Sequence, residues 1–228
     1  MKISLIIPVL NEAPRIEILL SFLFQEVQDE ELEVILVDGG SEDNTIELAR
    51  TFPVRIIQTS RGRAKQMNAG ATVAQGEVLY FVHADTRPPK SFPTDIRKAI
   101  RSHHLLGCYR SQFDSKLFLL RINAWFTRFN WLWTRGGDQT IYVEKKLFDQ
   151  LGGFDEYFCV MEEYDFIQRA LSQYPIHILP GSTLISARKY EQNNWLKVQW
   201  VNFRAFRMFR RNCDPRQIQS YYRKKLSL

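Results

Sequence analysis

Five short segments of the 228-residue sequence gather residue types that can do chemistry. In "FVHADT" an apolar strand runs into His83 and Asp85. A carboxylate at the end of a buried strand is costly unless a cation, a hydrogen bond or a ligand meets it. Mg²⁺ and Mn²⁺ take one or two protein carboxylates and complete their shells with substrate phosphate oxygens and water. Asp85 therefore reads as a contact for a cation carried in by a diphosphate, with His83 as a second ligand or a hydrogen-bonding spacer. "ILVDGGSEDNT" sets Asp38 at another strand end, followed by two glycines that let the backbone approach a ligand and by Ser41 and Asp43 as caps for the next helix. "RGRAKQMNAG" places Arg61, Arg63 and Lys65 ahead of a helix bearing Gln66 and Asn68, where guanidinium groups suit phosphate or a planar base. "VMEEYDF" opens a helix with Glu162 and Glu163, and Asp165 follows; "RGGDQT" adds Gly136, Gly137, Asp138 and Gln139. Each segment alone has a plainer reading: a turn, a solvated basic face, or acids complementing a helix dipole.

What raises these segments above chance is the scaffold that carries them. "ISLII", "LEVILV", "VRIIQT" and "EVLYFV" are short β-branched runs of the kind buried on both faces of a parallel sheet. Helical stretches alternate with them, which predicts a doubly wound α/β sheet with helices on both faces. Ligands in such sheets sit beyond the carboxyl ends of the strands, and the loops "PVLNE", "DGGSEDN", "SRGR" and "HADT" all fall there. "LLGCYRSQF" and "QTIYV" read as further strands and "EEYDFIQRALSQ" as a helix. With no linker, repeat or low-complexity tract, residues 1–228 read as one domain. Within it, 1–103 and 104–190 read as two cooperating halves and 191–228 as a basic helical tail.

Composition sets the outer limits. Apolar residues make up 45% and charged residues 25%, an ordinary globular balance. Cys108, Cys159 and Cys213 lack any paired spacing and read as reduced thiols of a cytoplasmic protein. The opening apolar run is broken by Pro8 and reads as a strand rather than a leader. The net charge is +6, but from Arg188 onward eleven basic residues face two acids, giving +9 there and −3 over the other 187 residues. The basic surplus implies a local anionic partner at that end. "KLFLLRINAWFTRFNWLWTR" spaces Phe118, Ile122, Trp125, Phe129 and Trp133 as one amphipathic helix, with arginines recurring at 121, 128 and 135. Packing on the core or on a second subunit, as in a homodimer, is one reading. Peripheral contact with an anionic membrane, at its cytoplasmic face, is the other.

In order and spacing these segments resemble family-2 glycosyltransferases of the GT-A fold, over nearly the whole chain. The combination "RGRAKQMNAGA…HADT…GGDQ" is similar to a bacterial subgroup labelled arsenosugar-biosynthesis-associated or carotenoid glycosyltransferase-like. The resemblance implies a metal-dependent inverting transfer of a sugar from a nucleotide-diphosphate donor to an acceptor hydroxyl, the acceptor being lipid-linked or a small molecule. It assigns Pro8, Leu10 and Glu12 to the base and ribose, Asp38 to the base, and Arg63 to the base or phosphates, with Asn68, His83 and Ala84 completing the donor site. Asp85 matches the metal-contacting acid and Glu163 the catalytic base. Gly137, Asp138, Gln139 and Asp165 fall on the acceptor side, and the resemblance makes 1–103 the nucleotide-sugar-binding half and 104–190 the acceptor and catalytic half. The sequence departs from the family pattern twice: His83 replaces the first acid of D-x-D, and Glu162-Glu163 replaces the E-D pair, leaving both glutamates as candidates. A sugar nucleotidyltransferase lacks its glycine-rich loop here, and a non-catalytic nucleotide-sugar or membrane-surface binder would show binding without turnover. A nucleic-acid partner has no recognition motif to support it.

Overall fold

The computed structural model describes residues 1–135 and 139–227. Its first half alternates as the hydrophobic runs predict: β1 (Ile3–Val9), α1 (Ala13–Glu26), β2 (Leu32–Asp38), α2 (Thr45–Ala49), β3 (Arg55–Gln58), α3 (Arg63–Val73) and β4 (Val78–Phe81). There follow β5 (Thr86–Arg87), α4 (Phe92–Arg101), β6 (Leu106–Asp114), α5 (Phe118–Phe126), a 3₁₀ turn (Leu132–Thr134), β7 (Ile141–Glu144) and α6 (Lys145–Gln150). The chain ends through α7 (Glu162–Leu171), β8 (His177–Ser186), α8 (Arg188–Glu191), α9 (Trp195–Arg210) and α10 (Pro215–Lys225).

The strands form one sheet in the order β3-β2-β1-β4-β7-β6-β8-β5. Pairings are parallel from β3 to β4 and between β6 and β8; β7 runs antiparallel to both its neighbours, and β5 to β8. Alternation along β1 feeds two cores. Leu5 and Ile7 pack with α1 and α4 through Ile16, Leu20, Phe92 and Ile96, while Ile6 packs on the other face with Met67 of α3 and Phe166 of α7. Burying each such side chain stabilises the fold by roughly 1.5–3 kcal/mol. Pro8 sits in the sheet because the β1–β4 pairing stops at Ile6↔Phe81, leaving Pro8 only Val37 of β2 as a partner.

Two expectations change. β3 is an edge strand whose end residues are exposed, so it is not buried on both faces. The aromatic stretch is not one helix: α5 stops at Phe126. Just beyond it the buried Arg135 guanidinium donates to the carbonyls of Thr127, at 2.6 Å, and of Phe129. The Thr127 hydroxyl meanwhile donates to Ala124 O at 2.6 Å and accepts the Ser111 N–H at 3.0 Å. The segment after Phe126 is thus tied to β6 and to Arg135 in a turn, where its buried polar groups find their partners. The C-terminal tail is helical as expected, with Asn194 capping α9 by accepting the Leu196 N–H.

Candidate active site

The loops after β1 and β2 are stitched together before any ligand arrives. The Asn11 side chain accepts the Glu42 N–H at 2.8 Å, Ser41 Oγ accepts the Asn11 N–H at 2.9 Å, and Asp43 accepts the Ala13 N–H at 3.1 Å. Asn11 takes a left-handed backbone (φ 56°) to make this crossing. Asp38 is buried at the tip of β2, its carboxylate accepting the Ser41 N–H at 3.0 Å and the Ser41 hydroxyl at 2.6 Å. Ser41 thus orients Asp38 rather than capping α2. Leu10 and Glu12 are half-buried beside it, and Glu12 pairs with Arg15 at 2.6 Å.

Gln66 carries a role that sequence reasoning missed. Its amide donates to Val9 O and Val37 O, both at 2.8 Å, pinning the carboxyl ends of β1 and β2 at one separation. A Cβ on Gly39 would lie 3.0 Å from that amide, so Gly39 makes room for the clip. The available signal was a buried-helix glutamine beside a glycine-containing strand end, which spacing alone cannot distinguish from a solvated residue.

The "HADT" segment forms a turn after β4, closed by the Thr86 N–H donating to His83 O at 3.0 Å. His83 and Ala84 are buried and Asp85 is half-buried. His83 Nε2 lies 3.0 Å from Glu163 Oε1. Among the described residues the Asp85 carboxylate meets only the Thr86 hydroxyl, at 3.3 Å. A single half-buried carboxylate beside a buried turn fits a Mn²⁺ or Mg²⁺ ion that keeps water and diphosphate oxygens as its other ligands. Asp85 is the residue that would hold it.

Glu162 and Glu163 occupy the first turn of α7, 2% and 3% exposed. The positive end of the helix favours them as anions. Arg63, at the first position of α3, brings Nη1 to 3.5 Å from Glu162 and 3.9 Å from Glu163. Burial, and then the neighbouring Glu163 charge, still pushes the Glu162 carboxyl up to about 7. Burial and the like charge thus favour a proton on Glu162. Met161, just before the pair, is held at φ 68°, a left-handed conformation unusual for a non-glycine residue.

The loop ahead of Met161 is tied down by two predicted residues. Asn68 donates to Phe154 O at 2.8 Å and accepts the Phe154 N–H at 3.0 Å, so its amide ties α3 to that loop. Asp165 pairs with Arg169 at 2.8 Å, and that guanidinium also reaches the carbonyls of Leu151 and Gly153. Gln139 is buried, accepting from Arg135 at 3.0 Å and donating to Ser111 at 3.4 Å. Gly136, Gly137 and Asp138 lie outside the described residues. The structure thus brings Arg63, His83, Glu162 and Glu163 into contact, with Asp85 on the same turn as His83. Asn68, Asp165 and Gln139 are held by neighbouring protein groups.

The model of glycosyl transferase family 2 matches residues 4–214. An uncharacterized glycosyltransferase of Haemophilus influenzae is 24% identical over 188 residues, covering 75% of this chain and 62% of that protein. The uncharacterized glycosyltransferase YfnE of Bacillus subtilis is 35% identical over 109 residues, covering 45% and 27% respectively. The chain therefore spans between about a quarter and three fifths of these relatives. Among solved structures, the mannosyltransferase PcManGT of Pyrobaculum calidifontis, in complex with GDP-Man and Mn²⁺, superposes with a TM-score of 0.67 at 20% identity, over 90% of this chain and 61% of that one. TarS of S. aureus (residues 1–349) with UDP-GlcNAc gives 0.67 at 22% identity, over 82% and 59%. At these identities the likeness is one of fold, and the fold is GT-A. With the family match running from β1 to the start of the last helix, the chain belongs to glycosyl transferase family 2.

Proposed function

We propose that the chain, acting as one unit of two cooperating halves, transfers a sugar from a nucleotide-diphosphate donor to an acceptor hydroxyl with inversion. The observation that carries this is the buried carboxylate pair at the start of α7, joined to the Asp85 turn by the 3.0 Å His83–Glu163 contact. That contact sets a base beside a turn suited to a diphosphate. Asp38 and the stitched loops after β1 and β2 offer a preorganised cradle for the nucleoside. A divalent cation bound at Asp85 would neutralise charge gathering on the leaving diphosphate.

Glu163 removes the acceptor proton as the hydroxyl oxygen attacks the anomeric carbon. The bond from that carbon to the diphosphate oxygen breaks, and nucleoside diphosphate leaves from the opposite face. Glu162 raises the proton affinity of the pair toward neutrality, where a general base works best. Arg63 limits that rise and faces the incoming phosphates. Relatives named as a dolichol-phosphate mannosyltransferase and undecaprenyl-phosphate transferases support a lipid-linked acceptor, beside which a small-molecule acceptor is the alternative.

The test has two parts. Thermal shift with UDP and GDP, each with and without Mn²⁺, identifies the base and the cation requirement. Release of nucleoside diphosphate from the matching donor then reports turnover. Glu163→Gln should bind donor as the unmodified protein does while turnover falls about 10²–10⁴-fold; Asp85→Ala should lose the cation-dependent part of the binding shift. Donor binding without turnover in the unmodified protein, across the sugars tried, would favour a binding protein instead.

A further inference from the structure

α5 and α9 leave a joint aromatic and cationic face uncovered, and neither helix carries an acid on it. On α9, Leu196, Lys197, Trp200, Phe203, Arg204 and Arg207 recur along one exposed stripe, with Leu196 69% and Trp200 59% exposed. The opposite face of α9 packs Ala205 and Phe209 against Met161, the residue before the glutamate pair. On and after α5, Phe118, Ile122, Trp125, Trp131 and Trp133 are exposed, Trp133 by 51%. The rings of Trp125, Trp131 and Trp133 form one cluster with Phe126 and Phe129, the indoles of Trp131 and Trp133 stacked at 5.6 Å. Tyr190 joins the two surfaces: its hydroxyl accepts from Asn123 of α5 at 3.3 Å and from Gln199 of α9 at 3.4 Å.

Between α5 and β6 lies a cleft of about 400 Å³ lined by Arg110, Arg121 and Arg128, with Trp125 and Ser182. No acid lines it. The cleft borders the catalytic edge, because Asp114 at the end of β6 pairs with Ser186, whose N–H donates to Asp85 O at 3.2 Å.

We propose that this face docks on an anionic lipid bilayer, with the Trp and Phe side chains in the headgroup layer and the three-arginine cleft taking a lipid phosphate. Charge complementarity selects this occupant. Aromatic rings and long basic side chains on one amphipathic face suit a membrane–water boundary, and the cationic tail from Arg188 adds attraction to acidic headgroups. A second copy of the chain would place the same basic stripe and cleft against like charge. Docking would hold the Asp85 edge near the bilayer surface, and the inner face of α9 would couple the contact to the start of α7.

The test is co-sedimentation of the whole chain with phosphatidylcholine vesicles made with and without phosphatidylglycerol, at low and high salt. Binding is expected only to the anionic vesicles and to weaken with salt. Brominated lipid should quench tryptophan fluorescence, a readout that needs no variant. Arg121→Gln/Arg128→Gln should weaken partitioning roughly 30-fold. Trp125→Ser/Trp131→Ser and Trp200→Ser/Phe203→Ser should each weaken it roughly tenfold or more, and Trp200→Tyr should retain it. Absence of binding at low salt would overturn the proposal, as would equal binding to neutral vesicles or indifference to the α5 substitutions. So would a dimer that Trp200→Ser dissociates, which would assign the face to a second copy.

Discussion

The proton affinity of the Glu162–Glu163 pair can be moved in opposite directions by two substitutions, and this is the sharpest test of the site. Arg63 Nη1 lies 3.5 Å and 3.9 Å from the two carboxylates. At an effective dielectric constant of about 20, each attraction is roughly 4–5 kcal/mol, or about 3 pKa units as a ceiling. The Arg63 side chain is 46% exposed, so water screens much of this. A rise of about one unit is what should survive when the guanidinium is removed. Arg63→Met should therefore move the acid limb of kcat/KM against pH upward by about one unit. Glu162→Gln should move it downward, because the remaining Glu163 no longer ionises beside a like charge. Nucleoside-diphosphate release measured across the pH range reads both. Loss of Arg63 contacts to the donor would lower the whole profile without moving its limb, so position and height separate the two effects. Limbs that stay in place, or move the same way in both variants, would refute the reasoning.

The same pair should leave its mark on stability. The Glu162 carboxyl is raised from 4.5 to about 7, so its contribution is complete below about 4.5, declines as pH rises, and is gone above about 7. Urea unfolding at pH 5 and pH 8 should show this difference, and Glu162→Gln should shrink it. His83→Gln keeps a hydrogen-bonding group toward Glu163 and should retain more turnover than His83→Ala, which leaves that buried carboxylate short of a partner. Asn68→Ala removes both hydrogen bonds that hold Phe154 and should cost about 1–3 kcal/mol of stability, read by denaturant titration.

The hydrophobic runs and their spacing determined the alternating first half, the parallel strands β1 to β4, and the edge where Asp38, Arg63 and Asp85 collect. Those are local signals: a period of two for strands, glycines and acids at strand ends, and loops whose position follows from the winding of the sheet. The order of motifs likewise carried the family. Contacts between residues far apart in the chain were decided only by tertiary structure. His83 meets Glu163 across 80 residues, Gln66 reaches Val9 across 57, and Asn68 holds Phe154 across 86. Nothing in the composition of "HADT" tells whether its imidazole will face an ion or a carboxylate. The aromatic stretch shows the same limit, because its spacing is helical throughout. The helix nevertheless ends at Phe126, and the carbonyls of Thr127 and Phe129 beyond it meet a buried guanidinium from Arg135. A buried polar group must find its partners wherever the fold places them. Side-chain periodicity is written along the sequence, whereas the partners of buried charges exist only once the chain has closed on itself.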